Sequence, residues 1–240
     1  MHGFAKPRRF LALARWLTPL LTVGGVALVV GACAWGLFIV PADRLMGETV
    51  RIIFIHVPSA WLGMGGWAGI ALASLVYMVW RHPLAAIAAR AIAVPGMVFT
   101  GLCLATGSIW GRPTWNTWWV WDGRLTSMLI LFLLYAGYVA LSDAVAKEGG
   151  SARLPAILAL VGAVNLPIIN RSVVWWQSLH QPPSLTLGRS AIDGVFLWPL
   201  LVSTLGFTML FGGVVLMRMR GLLAEAQADA RLRRMALGTA

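Results

Sequence analysis

The residues of this chain that could do chemistry together are two histidines and a tryptophan-rich segment. Five of the 13 Trp fall between Trp110 and Asp122, and two of the four His, His56 and His180, border apolar stretches on either side of that segment. Neutral imidazole can ligate haem iron axially, and flat indoles can pack on the faces and edges of a macrocycle. These residue types therefore predict a binder of a large, flat, apolar ligand, for which haem is the best candidate.

Each feature also has an ordinary structural explanation. One or two Trp anchor a helix at a membrane interface, and a lone interfacial His is more often a hydrogen-bonded amphipathic residue than a ligand. Two His on the same side of the membrane as five Trp favour a binding site over both explanations. The other histidines, His2 and His82, lie at the start of the chain and in a loop, where solvation explains them. Cys33 and Cys103 lie in apolar segments without a haem-attachment or metal motif, which predicts non-covalent binding.

The composition identifies the scaffold that must position these residues. The 240 residues are 59% hydrophobic and only 11% charged, with a mean hydropathy of +0.80. A soluble domain has about 25% charged residues. We therefore predict an all-α polytopic membrane protein whose six spans are each about 20 residues long. The predicted spans are Leu17–Val40, Ile52–Trp80, Ala91–Ile109, Leu125–Leu141, Leu154–Val174 and Val195–Met217.

The distribution of Lys and Arg predicts the orientation. With both termini cytoplasmic, the inner segments hold 13 basic residues and the outer segments 6, which together make the 19 in the chain. The excess follows the positive-inside rule, so the net charge of +11 reflects topology rather than nucleic-acid binding. We expect the first helix to be retained rather than cleaved as a signal peptide. Residues 1–217 form the predicted membrane domain, and residues 218–240 a short cytoplasmic tail.

The middle of the predicted spans holds no acid and no His. Proton-coupled transporters usually keep ionisable residues there, and electron-carrying bundles hold haem between histidines on their spans, so both classes are disfavoured. Polar residues do occur at Asn165 and Asn170, on either side of Pro167. Because proline removes a backbone donor, we predict a kinked helix in which Asn165 satisfies the freed carbonyls.

Several motifs together resemble a known family. They are Trp110-Gly-x-Pro-x-Trp-x-Thr-Trp-Trp-Val-Trp-Asp122, Arg124-Leu-Thr-Ser127, His56-Val-Pro58, Asn165-Leu-Pro-Ile-Ile169, Trp175-Trp176 and Leu179-His180-Gln181. The first of them, here called the tryptophan-rich segment (residues 110–124), resembles the "WWD" signature of haem-handling proteins in cytochrome c maturation. Within that superfamily the chain is most similar to the CcmC family, from about residue 41 to residue 180.

The resemblance implies a role and a set of partners. CcmC-like proteins hold b-type haem non-covalently at the periplasmic face of the bacterial inner membrane and help load it onto a membrane-anchored chaperone, CcmE. The ABC subunits CcmA and CcmB then release the loaded chaperone, and CcmD is a small accessory subunit. By matching position, His56 and His180 would be the axial ligands of the iron. The haem platform would be Trp115, Trp118, Trp119 and Trp121, with Asp122 holding its turn.

Two arginines on the same face remain open to two interpretations. Arg51 and Arg124 could anchor haem propionates or the chaperone surface, because an arginine fork suits carboxylates. Each could equally be an interfacial charge paired with Glu48 or Asp122.

Other functional classes are less consistent with the sequence. We expect no enzymatic activity from the chain by itself. The haem lyases of the same superfamily look much longer and carry further intramembrane histidines, neither of which is present here. A permease subunit that moves haem or another flat ligand across the membrane is the main alternative. Such a subunit would need a polar path across the bundle, and the sequence shows none.

Overall fold

A computed structural model describes residues 7–176, 180, 185–186, 189–190 and 192–236 of the chain. Its helices are α1 (Pro7–Phe38), α2 (Ile53–Trp80), α3 (Pro83–Trp115), α4 (Gly123–Lys147), α5 (Arg153–Gly162), α6 (Asn165–Trp175) and α7 (Gly194–Ala236). A 3-10 turn, Glu48–Ile52, runs directly into α2. Two short antiparallel strands, β1 (Leu185–Thr186) and β2 (Arg189–Ser190), form a hairpin between α6 and α7.

The predicted all-α fold with six spans is confirmed. Six helical segments of the described chain are long and apolar enough to cross a membrane, with α5 and α6 together making the fifth. Helices α3, α4 and α7 extend beyond their predicted ends. The third span continues to Trp115, so the first part of the tryptophan-rich segment is helical rather than a loop. The last helix runs without interruption from Gly194 to Ala236, so residues 218–236 of the predicted cytoplasmic tail continue it.

Because consecutive helices cross in opposite directions, the connections gather at two ends of the bundle. One end carries residues 39–47, residues 116–122 and the connection between α6 and α7, and is called the tryptophan end. The other carries the start of α1, the end of α7 and the loops after α2 and α4, and is called the terminal end. Helix α2 packs along α3, and α4 packs against α3, α5 and α6. Helix α7 packs on α1, α2 and α3, which leaves α1 at the edge.

The core midway between these ends is closely packed around two large aromatic residues. The rings of Trp67 and Tyr135 are both fully buried and meet edge to face, with centroids 4.9 Å apart. The Trp67 indole N–H donates to the carbonyl of Ala159 (3.2 Å), and the Tyr135 hydroxyl donates to the carbonyl of Gly63 (2.8 Å). A Cβ at Gly66 would lie 2.6 Å from that hydroxyl, so glycine leaves room for the Tyr135 side chain to reach α2.

The fifth span is broken, but not at the predicted position. Helix α5 ends at Gly162 and α6 begins at Asn165, upstream of Pro167. The Asn165 side chain donates to the carbonyl of Ser127 on α4 (2.8 Å) rather than to carbonyls freed in its own helix. The prediction of a break was therefore correct, but the role assigned to Asn165 was wrong. Its amide joins two helices at a point where an unpaired buried polar group would be costly.

Candidate functional site

A cavity of about 690 Å³ lies at the tryptophan end of the bundle. Helices α2, α3, α4, α6 and α7 line it, together with residues of the connection after α1. His56, His180 and Arg124 are its nitrogen-bearing polar side chains, and Trp61, Trp110 and Trp115 are its tryptophans. Met64, Cys103 and Met128 line it toward the core. Its volume falls in the range of about 300–1,000 Å³ that is usual for ligand sites.

Helix α2 positions the first histidine, His56, one turn after the helix begins. Its Nδ1 lies 3.0 Å from the hydroxyl oxygen of Thr106 on α3. The ring meets the indole of Trp110 edge to face, with centroids 5.7 Å apart. A Cβ at Gly107 would lie 3.1 Å from the His56 ring, so this glycine leaves room for the imidazole. Residues on two successive turns of α3 therefore hold the ring in one orientation.

The second histidine, His180, reaches the cavity from the connection between α6 and α7. Its Nδ1 lies 3.0 Å from Oδ2 of Asp122, and its ring meets the indole of Trp115 with centroids 4.8 Å apart. Burial lowers the pKa of His180, and this outweighs the hydrogen bond and charge of Asp122, which raise it. The imidazole is therefore neutral at neutral pH, and the contact is a hydrogen bond from Nδ1–H rather than an ion pair. Neutral imidazole is the form that binds a metal.

The two carboxylate oxygens of Asp122 bind two different parts of the chain. It is the N-cap of α4, where Oδ1 accepts a hydrogen bond from the backbone N–H of Leu125 (2.7 Å). A carboxylate is favoured there because the first N–H groups of a helix lack partners within the helix. The other oxygen, Oδ2, faces His180. The same side chain therefore fixes the start of α4 and the orientation of a histidine 58 residues further along the chain.

The tryptophan-rich segment divides into a helical part and an irregular part. Helix α3 ends at Trp115, and Asn116 follows in the left-handed region at φ 57°. Arg112 stabilises that turn, since its guanidinium donates to both the backbone and the side-chain oxygen of Asn116. Residues beyond the turn have no regular secondary structure as far as Asp122, where α4 begins. The turn reverses the chain within a few residues and so places both ends of the segment beside the cavity.

The five tryptophans of this segment do not share one environment. Trp110 and Trp115 line the cavity, whereas Trp118, Trp119 and Trp121 do not. Trp118 is 59% exposed and Trp121 is 74% exposed, and the rings of Trp119 and Trp121 meet edge to face at 5.5 Å. The indole N–H groups of Trp110 and Trp119 are buried without a hydrogen-bond partner among the described residues. Of the four residues of the predicted platform, the structure brings Trp115 to the histidines.

The two candidate arginines also differ. Arg124 lines the cavity from the first turn of α4, and its guanidinium makes no hydrogen bond or ion pair within the described residues. Arg51 instead pairs with Glu48 (2.5 Å) and donates to the carbonyls of Gly36 and Leu37 at 2.5 and 2.8 Å. Those carbonyls belong to the last turn of α1, where a cation is favoured by the helix dipole. Arg51 thus joins α1 to α2 and lies outside the cavity.

Sequence reasoning missed three residues that line the cavity or contact its histidines: Thr106, Trp110 and Trp61. Thr106 and Trp110 are four residues apart on α3, which places them on one helix face, and both contact His56. Extending the helix into the tryptophan-rich segment would have shown this pairing. Trp61 lies on α2 five residues after His56 and is 62% exposed. No spacing in the sequence distinguishes it from the other exposed tryptophans.

The donor set suits haem rather than a bare metal ion. No group of three or more His, Cys, Asp or Glu side chains is placed to hold a metal among the residues that the structure describes. Haem iron already has four porphyrin nitrogens and needs at most two axial donors. Two imidazoles in a largely apolar cavity, with indole rings beside them and one cation for a carboxylate, meet that requirement.

Known proteins resemble this chain over most of its length. The family described as "Heme exporter protein C", CcmC, matches residues 1–234. Relatives of that name are 52% identical over 220 residues in Bradyrhizobium diazoefficiens and 43% identical over 223 residues in Escherichia coli K12. A third, from Rhodobacter capsulatus, is 40% identical over 219 residues. These alignments cover 90%, 93% and 90% of this chain and 82%, 90% and 90% of the relatives. The chain therefore belongs to the CcmC family.

Proposed function

We propose that this protein binds haem as its cargo in the cavity at the tryptophan end, with His56 and His180 as the axial ligands. The observation that carries the proposal is that two histidines, far apart in the chain, line one largely apolar cavity. Each has its Nδ1 bound to an oxygen of a neighbouring element, so coordination would fall to Nε2 in both. The name shared by the relatives, "Heme exporter protein C", supports the same ligand.

The other residues of the site take roles that follow from their positions. Trp110 and Trp115 would pack against the macrocycle, since both line the cavity and both touch a histidine. Arg124 would bind a propionate, because its guanidinium lines the cavity and makes no ion pair with the residues that the structure describes. Trp118, Trp119 and Trp121 would form the outer part of the platform, where haem leaves the cavity. Asp122 would orient His180, while Arg51 serves the junction of α1 and α2.

The haem would be held at the periplasmic face of the bacterial inner membrane and delivered to the membrane-anchored chaperone CcmE. The excess of basic residues at the terminal end supports this orientation, with both termini cytoplasmic. The protein would act with the ABC subunits CcmA and CcmB and the small subunit CcmD, as the family resemblance implies. It would bind and hand over b-type haem without covalent attachment, and would not act as an enzyme by itself.

The alternative is that the chain moves haem across the membrane, as the word "exporter" in the relatives' name suggests. One structural feature opposes it. Below the cavity, the bundle is filled by Trp67 and Tyr135, whose polar groups are already bonded to backbone carbonyls. A path for haem would have to displace both rings. Delivery to the cavity from outside the bundle requires no such rearrangement.

An absorption spectrum of the purified protein tests the proposal. The full chain, expressed with ample haem and without the chaperone, is expected to show a Soret band that acid–acetone extraction removes. The double variant His56→Ala/His180→Ala should lose the band, while His82→Ala, at the terminal end, should keep it. A wild-type protein that holds no haem, or a band that survives extraction, would contradict the proposal.

A further inference from the structure

The Nδ1 atoms of the two candidate iron ligands contact chemically different partners. His56 is backed by a neutral hydroxyl, that of Thr106, whereas His180 is backed by a carboxylate, that of Asp122. Each contact measures 3.0 Å. The difference lies in charge rather than in distance.

The direction of the His56 hydrogen bond follows from the bond that Thr106 makes to its own helix. The Thr106 hydroxyl lies 2.6 Å from the carbonyl of Leu102, one turn earlier on α3. A hydroxyl has one proton, and at that distance the proton is donated to the carbonyl. The Thr106 oxygen then presents a lone pair to His56, so Nδ1 must be the protonated nitrogen. The lone pair of the imidazole is therefore on Nε2, the nitrogen able to bind iron.

We propose that His180 is the stronger iron ligand and His56 the weaker one, which haem gives up first when it is handed over. This inference rests on the proposed function. A histidine whose N–H is bound to a carboxylate is a more basic ligand than one bound to a neutral acceptor. Thr106 is accordingly a positioning residue that keeps His56 in the coordinating tautomer without strengthening its bond to iron.

The locations of the two histidines fit this order of release. His56 is part of a membrane-spanning helix, while His180 lies on the connection at the end of the bundle. Breaking the bond to His56 first frees haem from the transmembrane helices and leaves it on the residue nearest the surface. Breaking the bond to His180 first would leave haem attached to α2.

The first test compares haem retention in two single variants of the full chain, His56→Gly and His180→Gly, purified under haem-replete conditions. Partners that support a metal-binding histidine typically change metal affinity by about 10–100-fold. We expect His56→Gly to retain haem, now five-coordinate and high-spin, at a level about tenfold above that of His180→Gly. Equal retention, or the opposite order, overturns the inference while leaving the proposed function intact. A wild-type protein without haem overturns both.

The second test isolates Thr106. Thr106→Val keeps the shape of the side chain but removes the acceptor, and is expected to shift the ferric spectrum from six-coordinate low-spin toward five-coordinate high-spin. Thr106→Ser should keep the wild-type spectrum. Thr100→Val is a matched control, because Thr100 makes the same hydroxyl bond to its own helix (2.8 Å to Gly96) outside the cavity. A low-spin Thr106→Val protein, or a Thr106→Ser protein that changes as Thr106→Val does, overturns the tautomer assignment.

Discussion

The middle of the bundle and its tryptophan end use the same residue types in opposite ways. In the middle, Trp67 is fully buried and its N–H donates to the carbonyl of Ala159. At the tryptophan end, Trp110 has a buried N–H with no partner among the described residues, and it faces a cavity. A satisfied polar group stabilises the fold, whereas an unsatisfied one lowers stability. Trp67 therefore contributes to the stability of the fold, whereas Trp110 retains unmet hydrogen-bonding capacity beside the cavity.

We expect the largest effect on function from substitution of the two histidines that line the cavity. His56→Ala and His180→Ala are each expected to abolish maturation of c-type cytochromes, because each removes a proposed axial ligand from the cavity. The amount of membrane-inserted protein should remain close to wild type, since neither residue belongs to the packed core. Cytochrome c levels by haem staining, together with immunoblots of the membranes, measure both effects. His82→Ala is the control, and normal cytochrome levels in either cavity variant would refute the ligand assignment.

Trp67→Ala should lower the amount of folded protein while leaving haem binding by the folded fraction unchanged. It removes a fully buried ring and its hydrogen bond to Ala159, and large-to-small changes of a core Trp cost about 3–5 kcal/mol. We expect a large fall in the amount of folded protein and in its unfolding temperature in detergent. The fraction that does fold should keep the wild-type ratio of haem to protein. A folded variant without haem would mean that the core also takes part in binding.

The loss of haem on replacing a tryptophan should depend on whether that residue lines the cavity. Replacing Trp115 with Ala removes indole contact from the cavity and is expected to cost about 1–2 kcal/mol of haem binding, a factor of about 5–30. Trp118→Ala should cost less, because Trp118 lies outside the cavity and is more than half exposed. Trp16→Ala, at the terminal end, is the control. Haem content is measured as pyridine haemochrome per protein. Equal haem content in all three variants would mean that the tryptophans only anchor the segment at the membrane interface.

Substitutions of the two arginines should have smaller effects, one on haem binding and the other on the stability of the fold. Arg124→Gln removes a half-buried cation from the cavity and is expected to weaken haem binding by about 0.5–1 kcal/mol, or about two- to fivefold. Arg51→Gln should leave haem content unchanged and lower the unfolding temperature, because it removes the bonds to the last turn of α1. Haem titrations and thermal unfolding of both variants provide the comparison. A loss of haem in Arg51→Gln alone would reverse the assignment of the two residues.

Acidification should have the smallest effect. Burial depresses the pKa of His180, so its neutral, ligand-competent form is favoured by folding and is lost only as the pH falls below the ordinary value of about 6.5. An imidazole of ordinary pKa would be half protonated at pH 6.5, giving about a twofold loss of affinity relative to pH 8. We expect a smaller loss than this in haem titrations at the two pH values. A loss greater than twofold would show that His180 titrates as an exposed imidazole.

The sequence predicted the scaffold well, because membrane spans are determined by runs of apolar residues that need no tertiary information. It was less accurate where contacts between helices decide the outcome. Helix α3 continues through Arg112 and Pro113 to Trp115, since Arg112 itself stabilises the left-handed turn at Asn116. The predicted span had ended at Ile109, just before the segment. The role of Asn165 was likewise settled by its proximity to α4 rather than by its neighbours in the chain.

The candidate site was only partly predictable from the sequence. The two histidines stand out because few polar residues of their kind border the spans. Which tryptophans line the cavity depends on the phase of α3 and on where it ends, so Trp110 was overlooked while Trp118 and Trp121 were included. Thr106 could not be identified from composition, because a threonine in a span usually bonds only to its own helix. Its second contact, with His56, comes from a residue 50 positions away.

The most direct test is electron paramagnetic resonance of the haem-loaded ferric protein. With His56 and His180 as axial ligands, the wild-type spectrum should be that of a low-spin, bis-imidazole haem. The spectrum of His56→Gly should be predominantly high-spin, and added imidazole should restore the low-spin signal. A wild-type spectrum that is already high-spin, or a His56→Gly protein that keeps the wild-type spectrum, would contradict the claim that this cavity holds haem between its two histidines.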